Sequence, residues 1–264
     1  MSNLVVPTKI AVVVLASNSY SVLGIRLLAK WMRHYRGLSD VSLYFFGDVD
    51  PRPYLPAIPG YDIQFRMTKH YSWEAATNSK FISILSLAKE SFDYLIYIDA
   101  DTDIYKPFTE EWFMSDGLMG LQHYGDVTYM QDKPELKTLE RNPISKAYIP
   151  LDSPHKQTYY AGAFFGGVKE EVFAFCETLR INQRSDKLKK FEACLNDESH
   201  INWFFHYNVP SRVVPATAFQ FDISNKGGFS NIRVYIDHRP LLKKIQANKD
   251  SHWTLQDKQF VVLS

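Results

Sequence analysis

The sequence predicts an α/β fold built on a mostly parallel, doubly wound sheet with helices on both faces. Three observations point to it. The front half alternates short apolar runs with amphipathic helical periods, the rhythm of successive βαβ units. Tyr94-Leu-Ile-Tyr-Ile98 is an uninterrupted apolar strand, as expected where both sheet faces are covered, and it runs directly into Asp99-Ala-Asp101-Thr-Asp103. Carboxylates at the carboxyl end of such a strand stand where sheets of this kind bind ligands. No internal repeat or low-complexity linker divides the 264 residues, so one continuous domain is the simplest organisation.

Taken in order, Ile10 to Leu15 forms the first strand. Lys9 before the run Ile10 to Ala16 imitates the start of a secretion signal, but that run is at the short end for one and a buried strand accounts for it. Val22, Ile25, Ala29, Met32 and Tyr35 mark one face of the helix that follows, which stops at Gly37. Val41 to Phe46 is the second strand, ending at Gly47-Asp48, and Pro51, Pro53, Pro56 and Pro59 keep the next segment irregular. Ile63, Phe65 and Met67 alternate with polar residues as in a half-exposed strand. A second helix over Thr77 to Lys89 turns Phe81, Ile84, Leu85 and Ala88 inward and leads to the strand ending at Ile98. Asp126 to Ser153 is polar and reads as a long loop region, followed by the small-residue stretch Tyr159 to Gly167. Phe173, Cys176 and Leu179 indicate a third helix, and Asp197-Glu-Ser-His200 opens a fourth that buries Ile201, Phe204 and Phe205 before Pro210.

Composition narrows the function classes. With 45% apolar residues the chain has material for one large core, and a formal charge of +1 gives no electrostatic case for nucleic acid as a partner. Lys187, Lys189 and Lys190 form the densest basic cluster and read as a solvated helix face. Cys176 and Cys194 lack metal-type spacing, which favours free thiols in a reducing, cytoplasmic compartment. No segment approaches the roughly 20 apolar residues that span a bilayer, so no integral membrane segment is expected.

The aspartates after Ile98 carry the chemistry. Three carboxylates at alternate positions repel one another unless a cation or hydrogen-bond donors sit between them, which suggests a hard-metal site for diphosphate oxygens. Such aspartates can also simply cap a loop. A haloacid-dehalogenase-type phosphatase places Asp-x-Asp after a strand as well, with the first carboxylate as nucleophile. That pattern normally wants Thr or Val where Asp103 stands, and begins the chain with this strand.

Further segments resolve the choice. Thr138 to Pro150, Tyr159 to Gly167 and Asp197 to Asn202, together with Asp99-Ala100-Asp101, resemble in order and spacing the family 6 glycosyltransferases, the family of the ABO blood-group transferases and α-1,3-galactosyltransferase. The resemblance covers residues 8 to 222 and implies a GT-A fold, a Rossmann-like mixed sheet in a single catalytic domain over 1–264, with a nucleotide-binding half (1–105) and a donor-sugar and acceptor half (106–264). It also implies a UDP-galactose or UDP-N-acetylgalactosamine donor, a glycan acceptor, Mn2+ or another divalent cation such as Mg2+, and α-1,3 transfer with retention.

Position by position, the resemblance assigns Asp99 and Asp101 to the metal, with Asp103 lacking a counterpart. Ala16 and Tyr20 match the segment that packs on uridine, where an aromatic face stacks a base. Trp73 matches the tryptophan before the family's second helix, which puts Lys80 where an arginine reaches the phosphates, without the bidentate fork. Ala100, Ala161, Gly162 and Ala163 line the donor, and the small residues set the room around the sugar's 2-substituent. Asp197 resembles the aspartate that binds donor-sugar hydroxyls, and Glu198 the glutamate beneath the anomeric carbon. On the acceptor side His123, Thr138, Leu195 and Asp222 correspond; Leu195 replaces a stacking tryptophan and Asn196 a histidine, so a different acceptor is expected. The resemblance is to a soluble, bacterial or viral type without a membrane anchor, and a non-catalytic carbohydrate-binding relative of the same fold is the alternative.

Overall fold

The computed structural model of the chain describes residues 9–18, 20–68, 73–104, 107–123, 139–153 and 158–215, with two further strands at 219–221 and 234–236. Seven strands form the main sheet. They are β1 (Lys9–Ala16), β2 (Asp40–Gly47), β3 (Tyr61–Met67), β4 (Tyr94–Ile98), β6 (Leu118–Gln122), β7 (Tyr160–Val168) and β8 (Arg212–Val214), in the spatial order β3-β2-β1-β4-β7-β6-β8. β3, β2, β1 and β4 are parallel, β7 runs antiparallel to both β4 and β6, and β8 is parallel to β6. A small second sheet joins β5 (Thr102–Ile104) to β10 (Val234–Ile236) and β9 (Phe219–Phe221). The chain steps outward from β1 to β3 and then returns to place β4 on the other side of β1. The crevice between the carboxyl ends of β1 and β4 is therefore the topological switch point.

The alternation of side chains along β1 sorts the core into two layers. Ile10, Val12 and Val14 pack with Ile25, Leu28, Trp31 and Met32 of helix α1 (Tyr20–His34) on one face. Ala11, Val13 and Leu15 pack on the other with Phe81 and Ile84 of α2 (Trp73–Leu85), Phe175 of α3 (Lys169–Leu188) and Phe205 of α4 (Asn196–Tyr207). Helices thus cover both faces, as the sequence predicts, and the first four strands of the sheet lie where the apolar runs put them.

Some local expectations need correcting. α2 begins at Trp73 and ends at Leu85, and Ala88 is exposed while Leu87 is buried. Past Ile84 the backbone tightens into i→i+3 hydrogen bonds, Leu87 N–H to Ile84 O at 3.0 Å and Ala88 N–H to Leu85 O at 3.2 Å. The faster rotation of such a turn brings Leu87 inward where a continued α-helix would have turned Ala88. In α1 it is Leu27, Leu28 and Trp31 that fill the core, with Ala29 half-buried. Phe173 and Phe204 are likewise half-buried, and Phe175 and Phe205 take the core positions.

The loops around the switch point are tied to the sheet. Asp48, just past β2, accepts the Asn18 N–H (3.0 Å) and the Ser21 hydroxyl (2.5 Å), holding the β1–α1 turn. A Cβ at Gly47 would lie 2.4 Å from the Ala16 carbonyl oxygen, so only glycine allows this approach of the two strand ends. No helix among the described residues is long and apolar enough to cross a membrane.

At the opposite end of α1 the turn into β2 depends on Glu110. Its carboxylate is 3% exposed and accepts Leu38 N–H (2.6 Å), Ser39 N–H (3.0 Å) and the Ser39 hydroxyl (3.0 Å). Burial works to raise its pKa, but the hydrogen bonds it accepts outweigh that and hold it below the ordinary value. Glu110→Ala is expected to lower stability by about 1–3 kcal/mol, since two amides lose their acceptor. Because the folded pKa is depressed, the wild-type advantage is complete above the ordinary glutamate pKa and disappears as the pH falls through the folded value. Urea unfolding of both proteins across that range measures it.

Candidate active site

The site is built where β4 ends. Asp99 N–H donates to Ala163 O (2.9 Å) and Thr102 N–H to Asp99 O (3.0 Å), so the chain turns immediately and brings Ala100 and Asp101 back over the strand end. Tyr97, two residues upstream and therefore on the same side of the strand, donates its hydroxyl to Asp99 Oδ1 (2.6 Å). Burial, and then the charge of Asp99, raise the Tyr97 phenol well above its ordinary value, so it remains a donor. Asp101 is also raised, by burial and by the neighbouring Asp99 carboxylate.

An irregularity in β7 supplies the next groups. Consecutive residues Gly120 and Leu121 of β6 face Phe165 and Ala161, which leaves Gly162, Ala163 and Phe164 out of the ladder with β6. The freed backbone groups turn to the site: Gly162 N–H donates to Glu198 Oε2 (2.7 Å), and Gly162 O accepts from Lys80 Nζ (2.9 Å). A Cβ at Gly162 would come within 3.2 Å of Asp197 Oδ2 and 3.3 Å of Glu198 Cβ.

The first turn of α4 presents the remaining carboxylates. Asn196 takes a left-handed conformation (φ 45°), redirecting the chain before Asp197 and Glu198. Asn202, one turn further on, receives Tyr160 N–H (2.8 Å) and donates to Tyr160 O (2.8 Å) and Glu198 O (2.9 Å), which clamps the helix to β7. Glu198 Oε1 accepts the Tyr159 hydroxyl at 2.6 Å. Both oxygens of this carboxylate are thus held, and its pKa is raised by burial despite those bonds. His123 extends the set: its N–H donates to Tyr159 O (2.8 Å) and its ring meets the Tyr159 ring edge-on.

Lys80 lies at the centre. Its side chain is 3% exposed and its ammonium sits 2.5 Å from Asp197 Oδ2, 3.5 Å from Asp99 Oδ1 and 4.6 Å from the centre of the Tyr97 ring. Burial favours the neutral amine, but the Asp197 and Asp99 carboxylates outweigh it and hold the ammonium charged. Asp197 is raised by burial and by Asp99 and Glu198, against the pull of Lys80.

The structure therefore gathers Lys80, Asp99, Ala100, Asp101, Ala161, Gly162, Ala163, Asp197 and Glu198 around the strand ends, with Ala16 at the end of β1 and Tyr20 opening α1 beside them in sequence order across the switch point. Leu195 precedes α4 and packs against Leu139, Ile149 and Tyr159. Thr138 and Asp222 lie outside the described residues, and of Asp103 and Trp73 only the backbone is described. Tyr97, Tyr159 and Asn202 are members that sequence reasoning missed. Asn202 stands four residues after Glu198, the spacing of helix neighbours, and was the one most open to discovery. Among the described residues no group of three or more His, Cys, Asp or Glu side chains is arranged to enclose a metal.

Comparison with known proteins gives a consistent picture. The sequence model for Glycosyltransferase family 6 matches residues 8–236. The rat Histo-blood group ABO system transferase 1 is 29% identical over 213 residues, which are 78% of this chain and 59% of that protein. The chicken Globoside alpha-1,3-N-acetylgalactosaminyltransferase 1 is 27% identical over 213 residues, 78% of this chain and 60% of the relative. The Escherichia coli O-antigen biosynthesis glycosyltransferase WbnI is 28% identical over 117 residues, 44% of this chain and 48% of the relative. The chain thus spans less than two thirds of the length of the curated relatives it matches.

Removing the central cation tests the electrostatic account. Lys80→Met keeps the volume but leaves Asp197 and Asp99 without their counter-ion, and is expected to cost about 3–5 kcal/mol at neutral pH. Without the ammonium the folded pKa of Asp197 rises further above its unfolded value, so the folded state binds more protons and the variant recovers stability on acidification. Denaturant unfolding near pH 7 and near pH 5 reads both effects; a variant equally unstable at the two would contradict them.

Proposed function

The chain belongs to glycosyltransferase family 6, and on that premise we propose that it transfers galactose or N-acetylgalactosamine from a UDP-sugar to a glycan acceptor, forming an α-1,3 linkage with retention. One observation carries the reading: Glu198, with both oxygens held by Tyr159 and Gly162, shares a cluster with the buried Asp197 and Lys80 and the partly exposed Asp99 at the switch point of the sheet. A sugar-transfer site needs a carboxylate beside the reacting carbon and anchors for the leaving diphosphate, and this cluster offers both. The name of the chicken relative, an alpha-1,3-N-acetylgalactosaminyltransferase, supports the linkage and one of the two donors.

In this reading the charge of Glu198 stabilises the oxocarbenium-like carbon of the donor sugar, whether by covalent attack or at a distance. Asp197 accepts sugar hydroxyls while Lys80 holds it in place. Asp99 and Asp101 would hold a divalent cation. They fit one in a specific respect: burial and then the Asp99 carboxylate penalise the charged form of Asp101, and a hard cation between the two relieves that penalty. Such an ion supplies neutralisation of the charge growing on the departing UDP. Ala161 and Ala163 leave room for the sugar's 2-substituent, and Ala16 and Tyr20 face the base.

Release of UDP from UDP-galactose or UDP-N-acetylgalactosamine is expected to require a divalent ion and to stop in excess chelator, with Asp101→Asn reducing turnover by orders of magnitude. The same substitution removes a carboxylate whose charged form is penalised, so thermal stability at neutral pH should hold or rise. Full activity in chelator would sink the assignment of Asp99 and Asp101. No UDP release with any sugar donor would favour the carbohydrate-binding alternative.

Glu198→Gln preserves shape and hydrogen-bonding reach while deleting charge. Turnover should fall by roughly a hundredfold or more, with UDP affinity nearly unchanged, as for a group that acts on the transition state. The product's anomeric NMR coupling should report an α linkage. A β-linked product, or near-normal turnover in the variant, would remove Glu198 from the chemistry.

A further inference from the structure

Two neighbours inside the protein approach the same oxygen of Asp99. Its Oδ1 accepts the Tyr97 hydroxyl at 2.6 Å and stands 3.5 Å from Lys80 Nζ, beyond ordinary hydrogen-bond reach. The ammonium gives two of its three N–H groups to Asp197 Oδ2 (2.5 Å) and Gly162 O (2.9 Å), and it lies 4.6 Å from the centre of the Tyr97 ring. One N–H is therefore left over beside the Asp99 carboxylate. Asp99 Oδ2 has no hydrogen-bond or ion-pair partner among the described residues, and the side chain is 34% exposed, whereas Tyr97 is 2% exposed. One oxygen of Asp99 is thus held inward and the other is left open.

Tyr97 is itself fixed. Its ring stacks on Phe165 with centres 5.1 Å apart and 19° between planes, and the backbone of Asp99 is tied to β7 by its N–H to Ala163 O (2.9 Å). Phenol and carboxylate, two residues apart on one side of the chain, are brought together with little freedom in either. Without the hydroxyl, the remaining N–H of Lys80 would draw Asp99 into a direct charge-assisted bond, the strong kind in surroundings that hold little water. A carboxylate so engaged is a poorer ligand for anything else.

We propose that Tyr97 is a positioning residue for the cation site: its hydroxyl holds Asp99 Oδ1 off the Lys80 ammonium and so keeps Oδ2 available to a divalent ion. The proposal rests on the assignment of Asp99 to the metal and adds to it that the lysine is a competitor for that ligand, restrained by the phenol. Groups that orient metal ligands from behind are worth roughly 10–100-fold in metal affinity.

Titration with Mn2+, with and without UDP, tests it, the bound ion being read from loss of the free ion's electron paramagnetic resonance signal against a protein-free blank. Tyr97→Phe keeps the ring, with its stack on Phe165 and its contact to Lys80, and removes only the hydroxyl. Tyr94→Phe is the control. That tyrosine is equally buried on the opposite side of β4, and its hydroxyl donates to Phe113 O at 3.0 Å. Tyr97→Phe should bind Mn2+ roughly tenfold or more weakly than the wild type, and Tyr94→Phe should match the wild type. Affinity for UDP in excess chelator should be the same in all three. In UDP release, the Mn2+ concentration giving half of full activity should rise by the same factor in Tyr97→Phe, while turnover at saturating Mn2+ stays within about threefold. Equal Mn2+ affinity in the wild type and Tyr97→Phe, or an equal loss in Tyr94→Phe, would overturn the proposal and leave the metal assignment standing. A wild type that binds no Mn2+ under either condition would overturn the assignment of Asp99 to the metal, and this proposal with it.

Discussion

A single buried ammonium organises this molecule's reactive end. Lys80 leaves α2 and reaches Asp197 at the start of α4, Gly162 O in β7 and Asp99 at the end of β4. Asp197 is costly to bury alone, and it and the partly exposed Asp99 would repel each other without the charge between them. The lysine is equally unable to sit there without them. The arrangement is all or nothing: four chain segments distant in sequence must arrive together for any of the charges to be tolerated.

Backbone geometry gives the cluster its second anchor. The irregular pairing of β7 releases the N–H and C=O of Gly162 from the sheet, and both are spent on the site, one on Glu198 and one on Lys80. Tyr97, kept protonated by its burial, and Tyr159 add hydroxyl donors, so Asp99 and Glu198 are held by donors already in place. Fixed dipoles around charged groups cost no reorganisation when charge shifts during a reaction. The absence of a side chain at Gly162 is part of the same design, since a methyl group would press on Asp197 and Glu198.

α2 also stands between the carboxylate cluster and a second concave region. The face with Lys80 looks onto carboxylates, whereas Asn78 and Ile82 line a cavity of mixed charge with Arg184, Lys187, Lys190, Asp186 and Glu192. The start of α4 serves both sides: Asn196 lines the cavity beside α2, and the next two residues, Asp197 and Glu198, bond to Lys80 and Gly162.

By itself the sequence determined the local, short-range content. The apolar run from Tyr94 to Ile98, the breaks at Gly47 and Pro51, and the helical periods around Ile25 and Phe81 were readable because periodicity and punctuation act within a few residues. The ordered segments around Asp99, Tyr159 and Asp197 likewise located the carboxylates. Only the tertiary structure decided their company. Nothing near Lys80 in the chain marks it as a buried counter-ion, because its partners Asp99, Gly162 and Asp197 come from three other elements. The antiparallel insertion of β7 between β4 and β6, and the replacement of Ala88 by Leu87 in the core, were equally hidden. Pairing across a sheet, and the tightening of a helix end, depend on what the rest of the chain packs against them, and that information is spread over the whole sequence.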